Sequence, residues 1–284
     1  MSTRGFKISI FLPGGDLEGL QVVEKSNWTG RGVVCPRALF ARARSRSEFD
    51  KTGVYVLLAP PTESGLPRVY VGEGDPVRPR LDQHIIKKDF WTVLILFTSK
   101  DDNLNKAHVQ HLEARLVEIA ERAKRCELEN QNVPSVPSLS EAEQAEVEGF
   151  LDEMQRCFPV LGVHVFEQPS PAATTTTTLF LRSKGIEAKG HELSQGFVVR
   201  AGSTGVAEEV PSIHRYLSEL RRTLQERGIL QRETGHLVLT QDYVFDSPSS
   251  AAGVMLGRSA NGRVEWMDAR GQTLKHLQGI SDST

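Results

Sequence analysis

The chain has 284 residues, of which 39% are hydrophobic and 25% are charged, a composition typical of a globular protein with room for two domains. Because 34 basic residues are balanced by 36 acidic ones, the overall charge does not indicate a strongly basic nucleic-acid-binding protein. Three widely spaced cysteines (Cys35, Cys126 and Cys157) indicate neither a disulfide framework nor a thiolate zinc site, and we expect them to be buried. No apolar run approaches the roughly 20 residues needed to cross a bilayer, so we expect a cytoplasmic protein without membrane contact.

The first half of the chain is predicted to contain three segments. Residues 1–50 form a basic N-terminal extension, with short strands over 7–12 and 19–24 and a short helix over 36–46. Residues 51–133 form a small antiparallel sheet flanked by helices. Its strands are predicted over 53–59, 68–72 and 91–98, and its helices over 75–88, capped by Asp75, and over 104–125. Residues 134–167 form a helical connector, whose helix begins at the capping box of Ser140 and Glu143.

The second half is predicted to be a separate domain. Residues 168–178 are rich in proline and threonine and form a linker, and residues 179–284 form a second compact α+β domain. Strands are predicted over 179–182, 196–201 and 237–239, and helices over 213–228 and from Ser247. The dipeptide Asn261-Gly262 predicts a hairpin turn. The fold class of the whole chain is therefore α+β.

Basic charge is concentrated in the first third of the chain. Residues 31–51 contain six basic and two acidic side chains, and residues 78–88 contain four basic and one acidic. Such segments can present a basic face to phosphate groups, although a plain solvated surface has the same composition. The predicted nucleic-acid contacts are Arg31, Arg37, Arg78, Lys87 and Lys88.

A spaced set of residues indicates chemistry. It comprises Gly53-Val54-Tyr55, Tyr70-Val71-Gly72, then Arg80 and His84 ten and fourteen residues after Tyr70, and Glu113 on a later helix. In order, spacing and predicted secondary structure this set resembles the GIY-YIG nuclease family. The resemblance implies a metal-dependent endonuclease that hydrolyses phosphodiester bonds with Mg²⁺ or Mn²⁺, with DNA as the expected substrate. It implies catalytic roles for Tyr55, Tyr70, Arg80, His84 and Glu113, with Glu113 as the metal ligand and either Asn130 or Asn132 as the motif asparagine.

The residue types suit this chemistry. Arg80 can offer a planar fork of donors to a phosphate, and one carboxylate with waters and substrate phosphate is a common way to hold Mg²⁺. A phenol with an ordinary pKa near ~10 is a poor base at neutral pH, so we expect Tyr55 to act as a base or to position water only with help from a metal. Tyr70 is expected to hydrogen-bond phosphate or water.

Other interpretations fit less well. Gly72 and Gly74 imitate a dinucleotide-binding fingerprint, but the third glycine and the parallel βαβ pattern are missing. His108 and His111 suggest zinc, but no remote ligand is evident. The main alternative is a DNA-binding or regulatory protein that keeps the nuclease scaffold and cleaves nothing.

The C-terminal half carries a second resemblance. The segment from Tyr243 to Ala252, the segment from Gly257 to Arg263, and Trp266 are similar to a bacterial domain of unknown function that often follows GIY-YIG nucleases. This resemblance implies no activity. Three basic residues on one predicted helix, Arg215, Arg221 and Arg222, are candidate phosphate contacts or plain surface charge.

Overall fold

The computed structural model describes residues 5–61, 66–131, 134–167, 177–183, 185–193 and 196–281. The described residues form two compact units, one ending at residue 167 and one beginning at residue 177. Each unit contains both helices and strands, which confirms the predicted α+β class. Most of the predicted linker, and Asn132, lie outside the described residues.

One sheet organises the first unit. Its strands are β1 (Ile8–Phe11), β2 (Gln21–Lys25), β3 (Gly30–Pro36), β4 (Gly53–Pro61), β5 (Pro67–Gly74), β6 (Val93–Ser99) and β7 (Glu127–Leu128). Their spatial order is β1-β2-β3-β6-β4-β5-β7. The short β7 pairs with β5 in parallel, and the other neighbours are antiparallel.

Helices cover both faces of this sheet. They are α1 (Phe40–Ala43), which lies between two short 3-10 helices, α2 (Arg78–Lys87), α3 (Lys106–Ala123) and α4 (Glu141–Cys157). Because side chains alternate along a strand, Val54 packs in a cluster with Leu112 of α3, whereas Tyr55 packs on the opposite face with Leu81 of α2. Each face of the sheet thus has its own core.

The segments predicted as an extension and a connector both belong to the core of the first unit. The strand β3 pairs along its whole length with β6, and Val33 and Cys35 lie in the same cluster as Tyr55. From α4, Phe150 and Met154 pack in the cluster of Val54. The sequence did not predict β3, and the helix predicted over 36–46 begins only after Pro36 and is shorter.

The second unit contains two smaller sheets. The first has the order β14-β10-β9-β8, with β8 (Leu179–Ser183), β9 (Ile186–Leu193), β10 (Gly196–Val199) and β14 (Tyr243–Phe245). The other has the order β11-β13-β12, with β11 (Thr204–Val206), β12 (Leu230–Glu233) and β13 (His236–Leu239). The helices are α5 (Arg215–Glu226), α6 (Pro248–Leu256), α7 (Gly262–Glu265) and α8 (Leu274–Ser281).

Two local predictions are wrong. Asn261 does not begin a hairpin, because its side chain accepts a hydrogen bond from the Arg263 N–H and caps α7. Asp75 does not cap α2, because its carboxylate accepts a 2.7 Å hydrogen bond from the Thr52 hydroxyl and the helix starts at Arg78. The capping box of Ser140 and Glu143 is confirmed.

All three cysteines are buried, as predicted. Among the described residues, no helix has both the length and the apolar character required to cross a bilayer.

Candidate active site

Two tyrosines and a histidine form a ring cluster on the α2 face of the sheet. Tyr55 lies on β4 and Tyr70 on the neighbouring β5, with their ring centroids 6.4 Å apart. The imidazole of His84, on α2, lies 5.8 Å from the Tyr55 ring and 5.0 Å from the Tyr70 ring. Three residues that are distant in sequence therefore meet, and each belongs to the predicted catalytic set.

Gly72 makes room for Tyr55. The two residues are partners across β4 and β5, and a Cβ at Gly72 would lie 2.5 Å from both the Cζ atom and the hydroxyl oxygen of Tyr55. Such a distance is far below van der Waals contact. The glycine of the Tyr70-Val71-Gly72 tripeptide is thus required by the ring that crosses it.

Both phenols are protonated in the protein alone. Tyr55 is fully buried, its hydroxyl has no hydrogen-bond partner among the described residues, and burial raises its pKa well above the ordinary value of 10. Burial, followed by the charge of Glu113, also raises the pKa of the partly exposed Tyr70. Each phenol is therefore a hydrogen-bond donor, and Tyr55 can act as a base only if a nearby cation lowers its pKa.

The helix α2 brings basic groups to this ring cluster at four-residue steps. Arg80 is exposed, and its guanidinium has neither an ion pair nor a hydrogen bond with any described residue. One turn later, His84 is buried, and its pKa is lowered to about 4 by burial first and by Lys88 and Arg80 second. After a further turn, the Nζ atom of Lys88 lies 4.2 Å from the centre of the Tyr70 ring. The site thus combines a neutral imidazole with two cations.

Glu113 approaches from α3. The helix runs opposite to β5, because Lys106 at its start contacts Glu73 and its end leads to β7, which pairs with Arg68 and Val69. Seven residues of helix rise about 10 Å and three residues of strand span about the same length, so Glu113 lies on the α3 face of the sheet at the level of Tyr70 along β5. Electrostatic interaction of Glu113 with Tyr70 and with Arg80 agrees with this position.

The Glu113 carboxyl lies in unfavourable surroundings for a lone negative charge. Burial is the main reason that its pKa is raised to about 7, and the nearby Glu73 carboxylate raises it further. Arg80 and Lys106 oppose this shift. A buried carboxyl with a perturbed pKa beside aromatic hydroxyls is a frequent feature of catalytic sites.

Glu73 is a member of the site that sequence reasoning missed. The residue is 8% exposed, and both carboxylate oxygens accept hydrogen bonds from the Lys106 ammonium, at 2.6 and 2.7 Å. The sequence of β5 did contain a signal for Glu73. Side chains alternate along a strand, so Val69, Val71 and Glu73 share the face that is covered by α3. A carboxylate on this buried face requires an oppositely charged or hydrogen-bonding partner.

Asn130 contacts the backbone of β5 and not the ring cluster. Its Oδ1 accepts a 3.0 Å hydrogen bond from the Val71 N–H, and its Nδ2 donates a 2.8 Å bond to the Val71 carbonyl. Val71 is the central residue between Tyr70 and Gly72. Asn130 thus extends the pairing of β7 and fixes the strand that carries both residues.

The predicted nucleic-acid contacts have different surroundings. Arg31 pairs with Glu24, at 2.8 Å, and Arg78 pairs with Asp50, at 2.6 Å. Lys87 is exposed and has no ion pair with a described residue.

Arg37 serves the fold. It donates hydrogen bonds to the carbonyls of Ile85 and Lys88, and its guanidinium stacks on Trp91, 4.6 Å from the ring centre. These contacts hold the end of α2. Contact of Arg37 with phosphate stays a prediction.

The described residues do not support a zinc site at His108 and His111. His108 contacts the amide of its capping partner Asn105, and His111 contacts Glu148 at 2.7 Å. No cluster of three or more His, Cys, Asp or Glu side chains suited to a metal ion occurs in the described ranges. A metal at Glu113 would therefore need water and substrate as further ligands.

A cavity of about 240 Å³ lies elsewhere in the first unit, and its lining includes Trp28, Asn103, His108 and Phe150. None of the ring cluster or of the charged groups around it lines this cavity. This cavity is therefore separate from the candidate site.

Comparison with known families gives one match, in the second unit. Residues 179–278 match the family model described as domain of unknown function DUF4357. This range closely overlaps the predicted C-terminal domain of unknown function, residues 179–284. No curated protein and no solved structure matches the chain.

Proposed function

We propose that the first unit is a metal-dependent endonuclease of the GIY-YIG type, which hydrolyses phosphodiester bonds in nucleic acid, with DNA as the expected substrate. The observation that carries this proposal is the meeting of the Tyr55, Tyr70 and His84 rings with two groups of opposite charge. Arg80 comes from α2 and Glu113 from α3, two helices on opposite faces of the sheet.

The residues present fit a divalent cation. Glu113 is a partly buried carboxyl whose pKa is raised to about 7, and a cation beside it would favour its ionised form. Glu113 would hold the cation together with water and phosphate oxygens, as is common for Mg²⁺. When bound, the cation would activate water and reduce the negative charge on the phosphate.

The remaining groups of the chain have roles that follow from their charge. The Arg80 side chain is exposed and unpaired among the described residues, so its guanidinium can donate two parallel hydrogen bonds to a phosphate. Lys88, held over the Tyr70 ring, adds positive charge on the same side. Protonated Tyr70 can donate a hydrogen bond to a phosphate oxygen or a water molecule, and neutral His84 can accept a proton.

We propose that the second unit helps to hold substrate without supplying catalytic groups. One candidate contact is corrected: Arg221 is fully buried and donates to Glu209 and to the backbone carbonyls of Val206 and Val254, so it cannot reach a phosphate. Arg215 and Arg222 pair with Glu219 and Glu226 on the same helix. Both side chains stay largely exposed, so their contact with phosphate stays a prediction.

A cleavage assay tests the proposal. Linear and circular DNA and RNA are incubated with the protein in Mg²⁺, in Mn²⁺ and in chelator, and we expect cleavage only with the metals. Glu113→Gln should abolish cleavage and leave nucleic-acid binding largely intact, because it removes the expected metal ligand without changing the size of the side chain. Glu121→Gln, at an exposed position on the same helix, is the matched control.

A second variant separates the phosphate contact from the metal site. Arg80→Ala should slow cleavage by about 10²-fold or more, as expected for loss of a group that stabilises transition-state charge, and should leave Mn²⁺ binding unchanged. Arg42→Ala, exposed on α1, is its control. Full cleavage by the Glu113 variant refutes the metal-site assignment. Tight DNA binding by the wild-type protein without cleavage under any metal condition supports the non-cleaving alternative.

A further inference from the structure

The ion pair of Glu73 and Lys106 lies near the candidate metal site, and both of its charges act on Glu113. The Lys106 ammonium lies within 2.7 Å of both oxygens of Glu73, and the Glu73 side chain is only 10% exposed. The ion pair joins the end of β5 to the start of α3, and these two elements carry Tyr70 and Glu113. Neither residue belongs to the set of residues that carries the nuclease resemblance.

The charges around Glu113 nearly cancel. Glu73 and Glu113 contribute two negative charges, and Arg80 from α2 and Lys106 from α3 contribute two positive ones. A divalent cation is attracted weakly to a neutral set of groups and strongly to one with excess negative charge. Removing the charge of either Glu73 or Lys106 should therefore change how strongly the Glu113 site attracts a cation.

We propose that the Glu73–Lys106 pair sets the divalent-cation affinity of the Glu113 site, with Glu73 strengthening binding and Lys106 limiting it. This inference rests on the proposed function, since it requires a metal at Glu113. Both residues are positioning residues that act on the metal through their charge. Loss of Lys106 leaves an uncompensated carboxylate about two turns of α3 from Glu113, whereas loss of Glu73 leaves an uncompensated ammonium there.

Manganese binding tests the inference without any measurement of cleavage. Mn²⁺ titrations followed by electron paramagnetic resonance are compared for the full-length wild type, Glu73→Gln, Lys106→Met and the double variant. We expect Lys106→Met to bind Mn²⁺ about tenfold more tightly, Glu73→Gln about tenfold more weakly, and the double variant to resemble the wild type. Lys106→Arg keeps the charge and should retain wild-type affinity.

Lys25→Met is the matched control. Lys25 forms a 2.9 Å ion pair with Glu153, but it lies on β2, four strands from β5 and thus about 19 Å away across the sheet. Its loss should not change Mn²⁺ affinity in a protein whose circular dichroism shows it to be folded.

The outcomes that overturn the inference can be distinguished from one another. If the wild type binds Mn²⁺, Glu113→Gln abolishes binding, and neither Glu73→Gln nor Lys106→Met changes it, the ion pair has no such role and the proposed function stands. If the wild type binds no Mn²⁺ at any concentration, both the inference and the metal site fail. If Lys106→Met does not fold, wild-type affinity in Glu73→Gln alone rejects the inference.

Discussion

Tyr55 and Gly72 show how single residues determine the candidate site. The Tyr55 ring crosses β5 where a side chain at Gly72 would collide with its hydroxyl, so the pairing of Tyr55 with a glycine is a packing requirement between partner strands. Burial raises the pKa of the phenol, so Tyr55 stays protonated, and its hydroxyl has no hydrogen-bond partner among the described residues. Any role as a base depends on the cation that we expect near Glu113.

The raised pKa of Glu113 predicts a pH dependence of stability. An unfolded glutamate ionises near its ordinary pKa of 4.5, whereas Glu113 in the folded protein ionises at about 7. Between these values the folded state binds more protons, so the free energy of unfolding should fall as pH rises from about 5 to about 8 in chelator. The measurement is urea unfolding of wild type and Glu113→Gln across this range. The free energy of unfolding of the variant should not show this fall with pH.

The same experiment separates Glu113 from His84. Because the pKa of His84 is lowered to about 4, its contribution to stability is lost in the opposite direction, as pH falls below its ordinary value of 6.5. Both proteins keep His84, so its effect cancels in their difference. Added Mg²⁺ should restore wild-type stability at the upper end of the range. Parallel curves for the two proteins would contradict the assigned pKa of Glu113.

Residue spacing could predict some members of the candidate site and not others. Tyr55, Tyr70, Arg80 and Glu113 have a recognisable order along the chain, and the structure brings them together. Glu73 has no such signature, because its meaning depends on Lys106, a residue 33 positions later that reaches it only after α3 packs on β5.

Arg37 is a second residue whose contacts could not be predicted from the sequence. As a sequence feature it is one more basic residue, but in the fold it holds the end of α2 and stacks on Trp91. Charge composition cannot distinguish an arginine that meets solvent from one that satisfies buried carbonyls.

At the scale of elements, β5 depends on a side chain for part of its pairing. The regular pairing of β7 covers only Arg68 and Val69, and Asn130 then supplies a donor and an acceptor to Val71. An amide side chain can replace a backbone peptide group in this way. The hydrogen bonding along β5 thus continues past the two residues paired with β7 to Val71, which lies between Tyr70 and Gly72.

Loss of this amide should weaken the site through the strand. Asn130→Ala removes two hydrogen bonds and leaves the Val71 peptide without them, so we expect the free energy of unfolding to fall by about 1–3 kcal/mol. Cleavage should fall as well, because Tyr70 is adjacent. Urea unfolding and the DNA cleavage assay measure both effects. Gln131→Ala, at the exposed neighbouring amide, should change neither quantity.

If Asn130→Ala were as stable as Gln131→Ala, the two hydrogen bonds to Val71 would contribute nothing to the strand. If it lost cleavage without losing stability, Asn130 would act in the chemistry rather than on the strand. The comparison therefore distinguishes a structural asparagine from a catalytic one.

Local patterns predicted the long elements better than the short ones. The apolar stripe of α3 and the capping box of α4 are signals contained in the elements themselves, and both helices occur near their predicted positions. The strand β3 is poor in such signals, because its first three residues are Gly30, Arg31 and Gly32, and it forms through its pairing with β2 and β6.

The wrong turn at Asn261 also has a tertiary cause. A Cβ on Gly262 would lie 2.1 Å from the Pro248 backbone, and the Gly262 N–H donates to the Ser249 hydroxyl. Packing of α7 on the start of α6 therefore decides the conformation of a dipeptide that favours a hairpin in isolation.

At the scale of the whole molecule, each hydrophobic cluster of the described residues belongs to one unit. Two hydrophobic clusters, one on each face of the large sheet, consist entirely of residues before 167, and the third consists entirely of residues after 178. Within the first unit, the first 50 residues supply β1, β2 and β3 and such core side chains as Trp28 and Phe49. A boundary at residue 50 would therefore divide a sheet, whereas one near 168 would separate complete cores.

Two truncations should consequently behave in opposite ways. A fragment of residues 1–167 keeps both of its cores, so we expect it to unfold cooperatively in urea and to cleave DNA with Mg²⁺, with weaker substrate affinity than the full chain. A fragment of residues 51–284 loses β3, which lies between β2 and β6, and exposes the apolar edge and faces that β3 and Phe49 cover. It should retain only the unfolding transition of the second unit and should not cleave, as circular dichroism and the cleavage assay would reveal. A folded, active 51–284 fragment would show that the first three strands are dispensable. A folded but inert 1–167 fragment would show that the second unit supplies part of the catalytic site.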